Sequence, residues 1–431
     1  MALCRTILGS PWRCNDAARW GRLRSMRVLP FLPLTLGALC GGCAVEGPEG
    51  FFVQLYGRIY DEHGDGVPGA EISLATEDGA LIAPCITNQD GWYAAVILAD
   101  EHRGHALRVV ARAEGYASTE AWIPLDLVDG SPQVLPAYPP QIWSLWSREL
   151  PALPMALEVN SGQAEGIVLD AISGEPPTED SGGDLEPVVF EVELRKGWNA
   201  PDSERVVGSV ETGGGVAEAG RFLFEGIPTG VYTARIPGTG GYTAARFPLL
   251  VRSSDAREIR VAVSPALASN EVRATLVWGD APADLDLHIT GPRASVTEGE
   301  SSWERFHVWA GAPYFPANAT DADDRVVAME RVDEDGVGPE TVVVYDLRGS
   351  GEYRFSVYDA SHASEGGVED LSQSGALVQL WLGARTPEFF EVAPGQPGNT
   401  WRAAVWDTEE DLLLRLQELT SVEDEGEQEA F

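Results

Sequence analysis

Five carboxylates in the last third of the chain, Asp284, Asp286, Asp333, Asp335 and Glu340, have the chemistry that a hard divalent cation such as calcium selects. Asp284 and Asp286 are two residues apart and alternate with Leu285, Leu287 and Ile289, so they leave one face of a strand. Asp333 and Asp335 flank a Gly-rich turn that leads through Glu340 into the apolar run TVVV. Two carboxylates held within about 4 Å repel by about 4 kcal/mol at an effective dielectric of 20, so convergence calls for a cation or a proton. The competing reading is an exposed turn in which Asp makes local hydrogen bonds.

Catalytic patterns are sparse by comparison. The chain has no H-E-x-x-H, G-x-S-x-G or phosphate-loop motif. His102 and His105 form an H-x-x-H beside Gly104, in what reads as a loop. Cys85 has no His near it in sequence and reads as a small core residue. Thirteen Trp could stack on sugars, but Trp278, Trp309, Trp381, Trp401 and Trp406 lie in alternating runs, where core packing is the default. The expectation is a protein that is not an enzyme.

The elements that must position these residues read as strands. Val272, Ala274, Leu276 and Trp278 alternate ahead of the turn Gly279–Ala283, and Leu285, Leu287 and Ile289 alternate after it. The pattern W-G-x-x-P-x-D-L-D-x-H-x-x-G-P, followed by F-H-V and D-x-D-G-x-G-P-E-T, resembles the bacterial YfaP-like domain of unknown function. Trp278, Gly279, Pro282, Asp284, Asp286, His288, Gly291, Phe306, His307, Gly338, Pro339 and Glu340 carry that resemblance, which covers 270–407. It implies a β-sandwich and no particular reaction.

Upstream, 51–127 holds QLYGRIYDEHGDGVPGAEISL and NQDGWYAAVIL, short alternating runs separated by turn residues. This order resembles the carboxypeptidase regulatory-like domain, a small transthyretin-like β-sandwich. A second copy spans 163–265: Gly57, Asp61 and Pro68 match Gly166, Asp170 and Pro176, and Gly91-Trp92-Tyr93 matches Gly220-Arg221-Phe222. The segment 128–162 is Pro-rich and reads as a semi-rigid linker. After Asp407, residues 408–431 read as a short helix, with Leu412, Leu416 and Leu419 on one face, and a disordered acidic tail. The fold class is therefore all-β: tandem antiparallel β-sandwich domains, each expected to fold as its own unit.

Residues 1–42 read as a signal peptide, with Met26 as an alternative start. Arg19, Arg22, Arg24 and Arg27 precede the short apolar run Val28–Leu39, which ends in LCGGC. That ending resembles a lipoprotein lipobox and implies lipidation at Cys43. Ala44, where no Asp stands, then implies sorting to the outer membrane. The formal net charge of −37 repels phosphate backbones and anionic headgroups, so nucleic acid is excluded as a partner and a lipid rather than charge must hold a membrane. The functional expectation is a lipid-anchored structural or interaction protein of the cell envelope, with an unknown protein or glycan partner. The alternatives are a carbohydrate- or peptide-binding surface protein, or an accessory subunit of an envelope protease.

Overall fold

The computed structural model describes residues 52–76, 80–98, 106–124 and 145–422, apart from short stretches at 181, 183, 254–257, 293–304, 319–320, 334–335, 337, 348–349, 363–369, 384 and 410. The signal segment, Cys43, the His102/His105 pair, Asp335 and the acidic tail lie outside the described residues. The described residues are predominantly strand, as expected for antiparallel sandwiches, and the single α-helix among them is the one-turn α1 (Asp370–Gln373). Among the described residues no helix is long and apolar enough to cross a membrane. Contacts divide the chain into two compact units, one reaching Leu153 and the other taking in 154–431 with two short upstream stretches.

The first unit carries β1 (Phe52–Asp61), β2 (Glu71–Thr76), β3 (Leu81–Ile86), β4 (Trp92–Leu98), β5 (Ala106–Arg112), β6 (Thr119–Pro124) and β7 (Leu145–Glu149). One sheet has the order β4-β1-β7, with β8 (Leu153–Met155) also on β1, and the other has the order β3-β2-β5-β6. Alternation buries Leu107, Val109 and Ala111 of β5 between them. The Pro-rich composition predicts a linker over 128–162, but β7 pairs in parallel with β1 over five residues. Leu145 to Glu149 contains no proline, so every residue can donate to the ladder, and the Pro-rich run ends just before it.

The second sandwich repeats this plan strand for strand. β9 (Gly162–Asp170), β14 (Arg221–Ile227) and β17 (Ile259–Val263) form a sheet of order β14-β9-β17. β12 (Glu191–Lys196), β13 (Val206–Glu211), β15 (Gly230–Ile236) and β16 (Ala245–Val251) form the other, of order β13-β12-β15-β16. As β7 does with β1, β17 pairs in parallel with β9. The matched glycines explain the repeat physically. Gly57 lies opposite Tyr93 and Gly166 opposite Phe222 in their ladders, and a Cβ on either glycine would come within 2.7 Å of the Tyr93 hydroxyl or 2.4 Å of the Phe222 ring. Asp61 and Asp170 each accept a turn N–H after the first strand, from Asp65 (3.0 Å) and Ile172 (2.7 Å). The insertion unique to the second copy is a small hairpin of β10 (Thr178–Asp180) and β11 (Leu185–Pro187).

The third sandwich has a six-stranded sheet of β18 (Val272–Val277), β21 (Tyr314–Asn318), β22 (Asp321–Arg331), β23 (Glu340–Val344), β25 (Leu377–Leu382) and β26 (Glu388–Glu391), in the order β21-β22-β23-β18-β25-β26. Its partner holds β19 (Leu285–Pro292), β20 (Arg305–Val308), β24 (Glu352–Asp359), β27 (Thr400–Asp407) and β28 (Leu412–Thr420), in the order β20-β19-β24-β27-β28. Leu276, Trp278, Leu287, Phe355, Leu380 and Trp401 fill the space between the sheets. The expected C-terminal helix is strand β28 instead: Leu412–Thr420 pairs along β27, extending the sandwich past Asp407. Covering the open edge of β27 outweighs the helical spacing of three leucines.

The second and third sandwiches pack together within one compact unit. Both faces of β18 are buried, because Arg273 and Thr275 turn away from the third core towards the second sandwich. The Arg273 guanidinium donates to Ser264 Oγ and to Pro265 O (2.8 Å). Thr341 Oγ1 donates to Ala171 O, and Trp381 Nε1 to Ala244 O (3.1 Å). The carboxamide of buried Gln379 accepts from Ala262 N (2.7 Å) and donates to Ala262 O (3.1 Å), as a neighbouring strand would. At the far side, Trp198 meets Phe389 edge-on, and Arg415 lies over Phe390 while pairing with Glu388.

Candidate functional site

Two loops of the third sandwich that are far apart in sequence meet in space. One runs from Trp278 to Asp284 and the other from Asp333 to Glu340. Trp278 Nε1 donates to Pro282 O (3.1 Å), which folds the first loop over its own indole. The second loop packs on it through Gly336 (φ +86°) and Gly338 (φ +69°), where a Cβ would come within 2.4 Å of Ala283 O or 2.9 Å of the Trp278 ring. The Ala281–Pro282 and Gly338–Pro339 peptide bonds are both cis.

The carboxylates line this junction. Glu340 is fully buried, Asp286 and Asp333 nearly so, and Asp284 is half-buried. Glu340 Oε2 accepts from Leu287 N (2.7 Å) and Oε1 from Asp333 N (3.2 Å), so this side chain ties β23 to β19 and to the turn before it. Asp333 Oδ1 accepts from Gly336 N (3.2 Å), and Arg331 lies 3.7 Å from Asp333 Oδ2. Burial, with Asp286 and then Asp284 nearby, raises the Glu340 carboxyl well above the ordinary glutamate range, against the two N–H donors that lower it. The structure therefore gathers Asp284, Asp286, Asp333 and Glu340 around one junction, and Asp333 and Glu340 sit in the interior rather than on an exposed turn. Among the described residues no three His, Cys, Asp or Glu side chains are placed to hold a metal ion.

Sequence reasoning gave no chemistry to the neighbouring histidines. His288, on the same face of β19 as Asp286, places Nδ1 2.7 Å from Nε2 of His307 on β20. Trp309 stacks on His288 at 5.5 Å and Tyr358 meets it edge-on at 6.0 Å. His288 is wholly buried and His307 half-buried, and burial pushes both imidazoles down to about 3, His307 also through its neighbour. At neutral pH the two rings are uncharged, one ring N–H donating to the other's lone pair. The signal available in sequence was H-x-x-G-P followed by F-H-V, two His on paired strands. What sequence hid was burial: the face of β19 opposite its leucines holds His288 and Thr290 at 0% exposure.

Trp278, Trp381, Trp401 and Trp406 are buried in packing contacts, which leaves none of them as a flat platform for a sugar ring. Cys85 is a buried thiol in β3.

No family model and no curated protein matches the chain. Among solved structures it is similar to catechol 1,2-dioxygenase from Acinetobacter sp. ADP1, at 14% identity and a TM-score of 0.20. That alignment covers 27% of this chain and 55% of the dioxygenase, so it spans about half that enzyme's length. A streptococcal ancillary pilin aligns at 14% identity over 50% of this chain and 62% of its own, with a TM-score of 0.16. The shaft pilin SpaA from Lactobacillus rhamnosus GG aligns at 12% identity over 50% of this chain and 98% of its own, also at 0.16.

Proposed function

We propose that this chain is a non-catalytic structural or interaction protein of the cell envelope, held to a membrane by a lipid on Cys43 and presenting a stiff arm made of its second and third sandwiches. The observation that carries the reading is the seam between the second and third sandwiches. The outer face of the β18–β23–β25 sheet, where an open sandwich could offer a ligand groove, is occupied by Thr341, Gln379 and Trp381 bonded to the second sandwich. Hydrogen bonds from side chains of three strands, β18, β23 and β25, to the backbone of the second sandwich fix an orientation that a flexible linker would not. The junction carboxylates support the same reading, since both Glu340 oxygens accept from backbone N–H groups rather than facing a cleft. A tandem of like modules on a tether suits reach and presentation.

Fractionation of cells producing the native chain and Cys43→Ser tests the anchoring. The native chain should sediment with the outer membrane and incorporate a palmitate analogue, and Cys43→Ser should be released without label. A Cys43→Ser protein that stays membrane-bound and labelled would remove the anchor from this reading.

A further inference from the structure

We propose that the open edge of β13 (Val206–Glu211) is a docking edge that takes an extended, lysine- or arginine-bearing segment of a partner protein as an added strand. The inference rests on the interaction half of the function above and names the class of partner.

The topology supplies the edge. Among the described residues β13 ends its sheet, pairing with β12 on one side only. Sheet ends normally carry protection: proline, a mid-strand charge or a covering element. The equivalent end strand of the first sandwich, β3, has Pro84 at its middle, and β28 of the third carries Arg415 and Glu418. β13 reads VVGSVE, with neither proline nor charge before its last residue. Val206 and Val207 are both exposed, at 37% and 46%, and Val207, Ser209 and Glu211 form its outward row. An extended segment laid along this edge would gain main-chain hydrogen bonds and cover the valines.

Charge selects the occupant. Glu191 and Glu211 lie directly opposite each other in the β12–β13 register, both exposed, and Glu179 faces Glu186 in the β10–β11 hairpin. Like charges facing across a ladder are destabilising unless a cation lies between or beside them. The hairpin leads through Val188–Phe190 directly into β12, where Phe190 and Thr212 exchange two hydrogen bonds of 2.9 Å at the Glu211 end. This end therefore gathers exposed carboxylates, whereas Lys196 and Arg205 sit at the other end of the strand pair. A partner strand with a cation beside Glu211 relieves the Glu191–Glu211 repulsion. A second copy, with the same formal net charge of −37, would bring two acidic fields together.

The test uses the full-length chain in detergent and a fluorescent peptide the length of β13, alternating valine with lysine. The expected result is saturable binding that weakens with salt, with slowed amide exchange confined to Val206–Glu211 and the neighbouring β12. Affinity should fall at least about tenfold for a glutamate-for-lysine peptide, for the lysine peptide N-methylated at every amide, and for Glu191→Gln with Glu211→Gln. No saturable binding, equal binding of the three peptides, protection elsewhere in the chain, or self-association through these same amides without peptide would each overturn the proposal. Cys43 plays no part in this assay, so its outcome and that of the anchoring experiment are read separately.

Discussion

Gln379 and Ala262, 117 residues apart, are joined through one carboxamide that both accepts from and donates to the same backbone residue. Strand β25 thus reads the edge of β17 as if it were the next strand, with a side chain supplying the ladder. Replacing Gln379 with Ala leaves the N–H and C=O of buried Ala262 without these partners, at about 1–3 kcal/mol for each buried polar group left unsatisfied. Chemical denaturation should therefore place Gln379→Ala about 2–6 kcal/mol below the parent. A loss no larger than that of a surface substitution would mean that water reaches this seam.

The histidine pair sets an acid limit. An unfolded histidine binds its proton near 6.5 and these two only near 3, so between those values the unfolded chain holds more protons than the native one. Stability is full above 6.5 and declines as pH falls towards 3. In the upper part of that window, above the ordinary carboxylate range, His307→Asn should shorten the decline of Tm. An unchanged pH profile would show that the pair does not titrate with unfolding.

Glu340 acts in the opposite sense. Its folded value lies well above the 4.5 of an unfolded glutamate, so its contribution is full below 4.5 and is lost as pH rises through the folded value. Asp286→Asn removes the largest charge acting on it and should make the variant gain on the parent as pH rises from 4.5 to neutrality. Because both Glu340 oxygens already accept backbone N–H groups, melts of either protein in calcium and in chelator should coincide. A calcium-dependent rise in the parent that Asp286→Asn abolishes would instead make this junction a cation site.

Tyr93 carries a hydroxyl that is buried without a hydrogen-bond partner among the described residues, and that presses on Gly57. Tyr93→Phe should therefore leave stability unchanged or raise it by about 1 kcal/mol, whereas Gly57→Ala should cost about 1–3 kcal/mol by overpacking. Thermal melts decide both, and a Tyr93→Phe loss above the error would reveal a partner for the hydroxyl.

Much of this architecture was legible in the sequence because tight contacts leave distinctive residues. Gly57 and Gly166 mark where an aromatic must lie on a bare backbone, and the Trp278 and Gly338 motifs meet because one packs on the other. Strand β28 was hidden because Leu412, Leu416 and Leu419 satisfy a helical period as well as a strand, and only the open edge of β27 decides between them. The seam was hidden for a related reason. Arg273, Thr275 and Gln379 occupy the polar positions of alternating strands and look solvent-facing until a second sandwich covers them. His288 is the same case, a polar alternate residue whose burial depends on Trp309 and Tyr358.

The stiff arm is tested most directly by hydrogen exchange on the full-length chain, followed at the amides of β17 (Ile259–Val263) and β25 (Leu377–Leu382). If the second and third sandwiches open as one unit, both strands exchange with the same free energy of opening, and Gln379→Ala accelerates both equally. Two distinct opening energies, with Gln379→Ala speeding β25 and leaving β17 untouched, would contradict a fixed arm and return these sandwiches to independent modules.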